Sequence, residues 1–205
     1  MPAWIRRGLY AVMLICCVII GARVYLEFVA EPGIEEVNTL VAKGTPDRLP
    51  EFTLNDVLGQ PHSIGEWAGQ PLLINFWATW CAPCRREMPL LQTLHNERAV
   101  SGIQVIGIAI DRQPDVQAYI DEAGISYPIL SGESDAIAVS DLFGLAGLGL
   151  PFSVLVDSAG NILTVHIGEL LPEELRVFVT VSQGIERGEL SLAEARDRLQ
   201  QLQSS

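Results

Sequence analysis

Two cysteines separated by two residues are the side chains of this 205-residue chain with the clearest chemical potential. Cys81 and Cys84 follow an unbroken apolar run, LLINFW at 72–77, and precede a helical pattern. Two thiols at this spacing can form a reversible disulfide, and the positive end of a helix stabilises a thiolate on the first of them. We therefore predict that Cys81 is the attacking thiol. Cys84, one turn into the helix, would resolve the mixed disulfide.

An inert structural disulfide and half of a zinc site are the alternatives for this pair. A zinc site would need further ligands, but the chain has no second Cys-x-x-Cys pair. His62, His95 and His166 show no ligand spacing to one another or to the two cysteines. The sequence thus predicts neither a metal nor a separate cofactor, and the redox group would be the Cys81–Cys84 disulfide itself.

Glu87 is the predicted acid–base group of this site. It lies three residues after Cys84 and shares an apolar helical stripe with Leu91 and Leu94, so helix geometry places its carboxyl group near the inner sulfur. Burial would raise its pKa towards the thiol range. The carboxylate could then accept and return the proton of Cys84. The alternative is a solvent-facing carboxylate paired with Arg86.

A sheet with helices is needed to position these residues. The apolar runs at 72–77 and 103–110 predict two buried parallel strands, because one helical pattern lies between them and another follows at 115–122. Further predicted elements are a hairpin turning at 55–61, a strand at 127–130, a helix at 134–143, strands at 152–156 and 162–167, and helices at 173–181 and after 191. The sum is an α/β fold: a mixed sheet of parallel strands that ends in an antiparallel hairpin, with helices on both faces.

The amino-terminal residues predict a membrane anchor. Residues 9–22 are uninterrupted apolar residues behind Arg6 and Arg7, and extension to Ala30 gives about 22 residues, enough to span a bilayer. A cleaved signal peptide is the alternative, but the sites ending at Ala22 and Ala30 each offer only one of the two small residues required. Basic residues before the span and acidic residues after it place the amino end in the cytoplasm. This predicts a single-pass protein of a bacterial inner membrane with its soluble domain in the periplasm.

The predicted domain organisation has four parts: an anchor or signal segment at 1–30, a linker at 31–48, the α/β domain at 49–184 and a C-terminal helical extension at 185–205. Hydrophobic residues make up 49% of the chain and charged residues 19%, which excludes a disordered protein. The net charge of −12 argues against nucleic acid as a partner. No feature of the sequence requires an oligomer, so a monomer is expected.

The string FWATWCAPCRREMP, from Phe76 to Pro89, resembles the membrane-anchored ResA/TlpA-like proteins of the thioredoxin superfamily, in its AhpC/TSA-redoxin-like branch. Leu150-Pro151 before a strand and DSAGN after it extend the resemblance, which covers roughly residues 49–182. It implies a thioredoxin-like sheet with an added amino-terminal β-hairpin. It also implies disulfide exchange with exported proteins, often during cytochrome c maturation.

The resemblance bears on three residues outside the Cys-x-x-Cys pair. Pro151 matches the family's cis-proline facing the disulfide, which would leave the backbone of Leu150 free to pair with a substrate strand. Phe152 stands where the family often has Thr, which alters the predicted substrate groove. Independently of the resemblance, the position of Trp80 immediately before Cys81 predicts a half-exposed surface for contact with substrate.

Asn75 departs from thioredoxins themselves, which carry at this place a buried Asp that manages the proton of the inner thiol. Asn cannot titrate, so another group must serve Cys84. Glu87 matches the acidic residue that ResA-like proteins carry at its position, which strengthens its assignment.

Four functions follow from these residues. The first is a tethered reductant of disulfides in exported proteins, which would be reduced again by a transmembrane thiol electron donor because its compartment is oxidising. The second is an oxidant or isomerase that donates or reshuffles disulfides. The third is a metallochaperone-type assembly or binding module. The fourth, a peroxidase, is disfavoured because the cysteines form a close pair rather than one isolated peroxidatic cysteine.

Overall fold

The computed structural model describes residues 2, 13, 16, 17, 19, 20, 23, 44–144 and 149–203. The chain divides into two units, residues 1–38 and 39–205. In the first unit the described residues from 13 to 23 are helical and exposed. Most of the predicted anchor at 1–30 and of the predicted linker at 31–48 lies outside the described residues. Within the described part of the chain, no helix is both long and apolar enough to cross a bilayer.

Seven strands of the described residues form one mixed sheet. They are β1 (Thr53–Asp56), β2 (Pro61–Ser63), β3 (Leu72–Trp77), β4 (Gln104–Ile110), β5 (Ile129–Gly132), β6 (Phe152–Val156) and β7 (Ile162–Ile167). Their order across the sheet is β2-β1-β5-β4-β3-β6-β7. β3, β4 and β5 are parallel neighbours, whereas the pairings that involve β1, β2, β6 and β7 are antiparallel. The predicted mixed sheet, with its amino-terminal hairpin and its final antiparallel hairpin, is therefore confirmed.

Helices among the described residues of the second unit cover this sheet. They are α1 (Ala82–Asn96), α2 (Arg98–Ser101), α3 (Gln113–Ala123), α4 (Ser134–Asp141), α5 (Pro172–Glu186) and α6 (Leu192–Gln203), with a 3₁₀ turn at Ile64–Trp67. All six residues of β3 are buried, which requires cover on both faces of the sheet. The sequence patterns found every helix except α2 and the 3₁₀ turn, which are too short to show a helical period.

The folded domain begins before residue 49, its predicted start. Arg48 pairs with Asn161 in an isolated antiparallel β-bridge. Earlier in the chain, the Thr45 hydroxyl donates a hydrogen bond of 3.2 Å to the carbonyl oxygen of Phe143. The last residues of the predicted linker are therefore attached to the domain.

The predicted C-terminal extension is also an integral part of the domain. Its predicted boundary after residue 184 falls inside α5, and α6 packs against α5 and β7. Leu199 of α6 is buried in the core. Arg196 donates from Nη2 to the carbonyl oxygen of Ile162 over 2.8 Å and from Nη1 to the Asp47 carboxylate over 3.2 Å. One side chain of α6 thus fastens the start of β7 to the beginning of the domain.

Truncation of Leu199 tests the contribution of α6. We expect Leu199→Ala to lower the free energy of unfolding by about 2–5 kcal/mol, because it leaves a cavity between α6 and the rest of the core. Gln200→Ala, on the exposed side of the same helix, should change it by less than about 0.5 kcal/mol. Chemical denaturation of the purified full chain measures both values. If Leu199→Ala lowered the free energy of unfolding as little as Gln200→Ala does, the packing of Leu199 would contribute no stability.

Candidate active site

Cys81 and Cys84 form a disulfide where α1 begins, four residues after β3 ends. Cys81 is the N-cap of α1, and its Sγ accepts a hydrogen bond of 3.3 Å from the backbone N–H of Cys84. The two Cα atoms are 5.3 Å apart. The solvent-exposed fraction is 5% for Cys81 and zero for Cys84. This difference agrees with the predicted roles, because an attacking thiol must be reached by a partner and a resolving thiol need not be.

The turn that carries Cys81 is held by Asp111, which follows β4. Its Oδ2 accepts hydrogen bonds from the backbone N–H of Thr79 at 3.1 Å and from the Thr79 hydroxyl at 2.5 Å. The motifs of the sequence do not predict this contact. The predicted parallel pairing of β3 and β4 could have indicated it, because parallel strands end at the same edge of a sheet. Trp77 lies opposite Ala109 in this pairing, so the residues that follow the two strands come close together.

The two tryptophans around the disulfide have different surroundings. Trp80, immediately before Cys81, is 69% exposed, more than the half exposure that was predicted. Trp77 is fully buried, and its ring centroid lies 5.5 Å from that of Tyr119. Trp80 is thus available for contact with another protein, whereas Trp77 belongs to the core.

Glu87 is buried, as predicted, with 2% of its surface exposed. Its Oε1 accepts a hydrogen bond of 2.8 Å from Asn75 Nδ2, and its Oε2 accepts one of 2.7 Å from the backbone N–H of Leu170. Burial raises the pKa of Glu87 to about 7. The two hydrogen bonds lower this pKa, whereas the charges of Glu169 and Glu174 raise it. Because α1 places Glu87 one turn after Cys84, a group that titrates near neutral pH lies on the same helix face as the inner sulfur.

The alternative of a surface ion pair between Glu87 and Arg86 is wrong. Arg86 instead pairs with Glu169, and its Nε donates to the two carboxylate oxygens of that residue at 3.1 and 2.9 Å. This pair lies on the surface, and it fastens α1 to the loop between β7 and α5.

The peptide bond between Leu150 and Pro151 is cis, which confirms the prediction. Pro151 is buried, and its carbonyl oxygen accepts a hydrogen bond of 2.9 Å from the Gly168 N–H. Phe152 begins β6 opposite Phe76 of β3. Since these strands are antiparallel, Pro151 lies at the sheet edge from which the chain continues to Cys81.

The assignment of Phe152 to substrate contact needs a correction. Its side chain is 1% exposed and stacks on Phe76, with ring centroids 4.3 Å apart. A side chain packed in this way has no surface to offer a partner. Leu150 is partly buried, and residues 145–148 lie outside the described residues.

A cavity of about 150 Å³ is lined by residues that include Leu72 and Val156, which stand at the end of β3 and β6 opposite to Cys81. Among the described residues, no group of three or more His, Cys, Asp and Glu side chains could hold a metal ion.

Comparisons with known proteins agree with this geometry. The AhpC/TSA family matches residues 45–165. The thiol-disulfide oxidoreductase ResA of Halalkalibacterium halodurans is 28% identical over 177 residues, which are 86% of this chain and 92% of that protein. The ResA of Geobacillus kaustophilus is 27% identical over 166 residues, or 80% of this chain and 88% of that protein.

Solved structures show the same fold. A thiol:disulfide interchange protein of the thioredoxin family from Chlorobium tepidum TLS has a TM-score of 0.59 and 30% sequence identity, over 67% of this chain and 96% of that protein. A thiol:disulfide interchange protein from Bacteroides sp. has a TM-score of 0.57 and 27% identity, over 68% of this chain and 88% of that protein. The predicted thioredoxin-like fold is thus confirmed. The chain belongs to the AhpC/TSA family and is a thiol-disulfide oxidoreductase whose Cys-x-x-Cys pair is Cys81 and Cys84.

Proposed function

We propose that this protein reduces disulfides of exported proteins from a tethered position on the periplasmic side of a bacterial inner membrane. The observation that carries the proposal is the Cys81–Cys84 disulfide at the start of α1, with the buried carboxyl group of Glu87 one turn away. The tether is proposed from the apolar residues 9–30 and the basic residues that precede them. The similarity to ResA proteins over most of their length supports the disulfide exchange. Cytochrome c maturation is included in the proposal as one setting for it, because the family resemblance implies that role.

The proposed reaction begins with the reduced Cys81–Cys84 pair. The Cys81 thiolate attacks one sulfur of the substrate disulfide, which forms a mixed disulfide and releases the other substrate sulfur as a thiolate. Cys84 then loses its proton to the Glu87 carboxylate and attacks Cys81 Sγ, which restores the Cys81–Cys84 disulfide and releases the second substrate thiolate. Two electrons pass to the substrate, whose two thiolates take protons from solvent and from Glu87.

Two partners follow from this reaction. Each turnover leaves the cysteines oxidised, so the proposal includes a transmembrane thiol electron donor that reduces them again. The substrate would be an exported protein with a disulfide, seated against the exposed ring of Trp80 and the cis-proline turn at Leu150 and Pro151. The redox-active disulfide is proposed to act without a further cofactor, and the protein to act as a monomer.

Glutathionylation distinguishes the two sulfurs. We expect Cys84→Ala, reacted with oxidised glutathione, to carry glutathione on Cys81, because the resolving thiol is absent. Cys81→Ala should carry none on Cys84, which has no exposed surface. Mass spectrometry of peptides measures the adducts, and the double variant gives the background from the free thiols of Cys16 and Cys17. Equal labelling of the two sites would contradict the assigned roles.

The reduction potential of the pair tests the direction of exchange. Equilibration of the purified chain with a dithiothreitol or glutathione series should give a value at or below about −250 mV, near that of thioredoxin, because a reductant must hold its electrons weakly. A value near about −120 mV would mark a disulfide donor instead. That result would contradict the proposed reductant and, with it, the need for a transmembrane electron donor.

The stability of the oxidised protein should depend on pH through Glu87. In the folded chain its carboxyl group keeps a proton up to about pH 7, compared with 4.5 for an unperturbed Glu. The folded state thus binds more protons in this interval, and the free energy of unfolding falls as pH rises through it, by on the order of 3 kcal/mol. Chemical denaturation at a series of pH values measures this slope.

Glu87→Gln should remove the fall between pH 4.5 and about 7, because Gln carries no titrating proton. Glu97→Gln is the matched control, since Glu97 is exposed at the end of α1. An unchanged slope in Glu87→Gln would show that another group is responsible.

A further inference from the structure

Asn75 of β3 is fully buried and uses both hydrogens of its side-chain amide. Its Nδ2 donates to Glu87 Oε1 over 2.8 Å and to the hydroxyl oxygen of Ser153, on β6, over 3.0 Å. The amide oxygen Oδ1 is buried as well, and among the described residues it has no hydrogen-bond partner. The side-chain amide of Asn75 therefore donates two hydrogen bonds, and among the described residues it accepts none.

This one-sided arrangement has a physical reason in the charge of Glu87. If the amide were reversed, Oδ1 would face the carboxylate of ionised Glu87, and two electron-rich oxygens would repel each other. A buried carbonyl oxygen without a donor is unfavourable. A hydrogen bond from Nδ2 to an ionised carboxylate is among the stronger hydrogen bonds in proteins, and it compensates for that loss.

We propose that Asn75 is a positioning residue that favours the ionised form of Glu87 inside the domain and so sets the pH at which Glu87 can accept the proton of Cys84. Its amide points a donor at Glu87 Oε1, while the Leu170 N–H holds Oε2. Asn75 has no proton to lose, so position 75 adds no titrating group to those already near Glu87. The link to Cys84 rests on the proposed function, whereas the effect on Glu87 itself does not.

The other ionisable groups near Glu87 are on separate elements and stay unchanged when Asn75 is replaced. Glu169 and Glu174 raise the pKa of Glu87 from the loop after β7 and from α5, and Arg86 on α1 pairs with Glu169. His166 Nε2, on β7, lies 3.7 Å from the Glu174 carboxylate.

Tyr127, just before β5, completes this set. Its pKa is raised by burial and further by the charge of Glu87. A hydroxyl that stays protonated in this way adds no charge of its own near neutral pH. A shift in the titration of Glu87 on replacement of Asn75 therefore reports the lost hydrogen bond rather than an altered charge.

The test replaces Asn75 by leucine, which has the same number of side-chain heavy atoms and no donor. We expect the titration midpoint of Glu87 in Asn75→Leu to rise by about one to two pH units, since a hydrogen bond to a charged group is lost. The measurement is ¹³C NMR of the oxidised full chain carrying [δ-¹³C]glutamate, with the Glu87 signal identified by its absence in Glu87→Gln.

Ser153→Ala is the matched control, because it removes the other acceptor of Asn75 Nδ2 and keeps the bond to Glu87. Its midpoint should stay close to that of the unmodified chain. Asn75→Ala is a second test in case leucine disturbs the fold, and it should raise the midpoint as leucine does. A midpoint that stays constant or falls in a folded Asn75 variant would overturn the proposal.

A second readout separates this inference from the proposed function. Glutathione is placed on Cys81, and its release through attack by Cys84 is followed against pH. If the pH profile rises together with the Glu87 midpoint in Asn75→Leu, both statements hold. If the midpoint rises and the release profile does not, Asn75 controls Glu87, but Glu87 does not serve Cys84. If the midpoint does not move, the inference about Asn75 fails whatever the release profile shows.

Discussion

A carboxyl group enclosed between a helix and a sheet needs hydrogen-bond donors, and the elements around it must be placed to supply them. Glu87 of α1 obtains one donor from Asn75 in β3 and another from the Leu170 backbone before α5. These bonds link α1, the central strand and the last part of the domain through one side chain. The position of the disulfide follows, because the same helix that carries Glu87 begins at Cys81.

The remaining parts of the site meet because strands that end at one edge bring distant residues together. Thr79 after β3 meets Asp111 after β4, and Pro151 before β6 reaches the same edge from the antiparallel direction. The contact between Thr79 and Asp111 joins residues that are 32 positions apart in the chain. The segment that carries the disulfide is thus fixed by hydrogen bonds with Asn75 of β3, with Asp111 after β4 and with the Leu170 backbone, as a reactive group needs if its geometry is to be fixed.

Local patterns predicted the elements of this fold well, and long-range contacts poorly. The apolar run LLINFW coincides with β3 from Leu72 to Trp77, and the apolar stripe of α1 predicted the burial of Glu87. The side chain of Phe152 was misplaced because its position after Pro151 says nothing about the ring of Phe76 across the sheet. The bonds from Asn75 to Glu87 and from Arg196 to Asp47 likewise depend on packing that no short window of sequence contains.

The start of β7 also bears on how copies of this protein meet one another. An outer strand with free N–H and carbonyl groups offers a template for edge-to-edge aggregation. Here the Ile162 N–H donates a hydrogen bond of 3.0 Å to the Asp47 carbonyl oxygen. The guanidinium of Arg196 donates a hydrogen bond to the Ile162 carbonyl oxygen. The first rung of this outer strand is therefore occupied by the chain itself. This first rung cannot pair with a strand of another copy, so an edge-to-edge association through β7 would have to begin further along the strand.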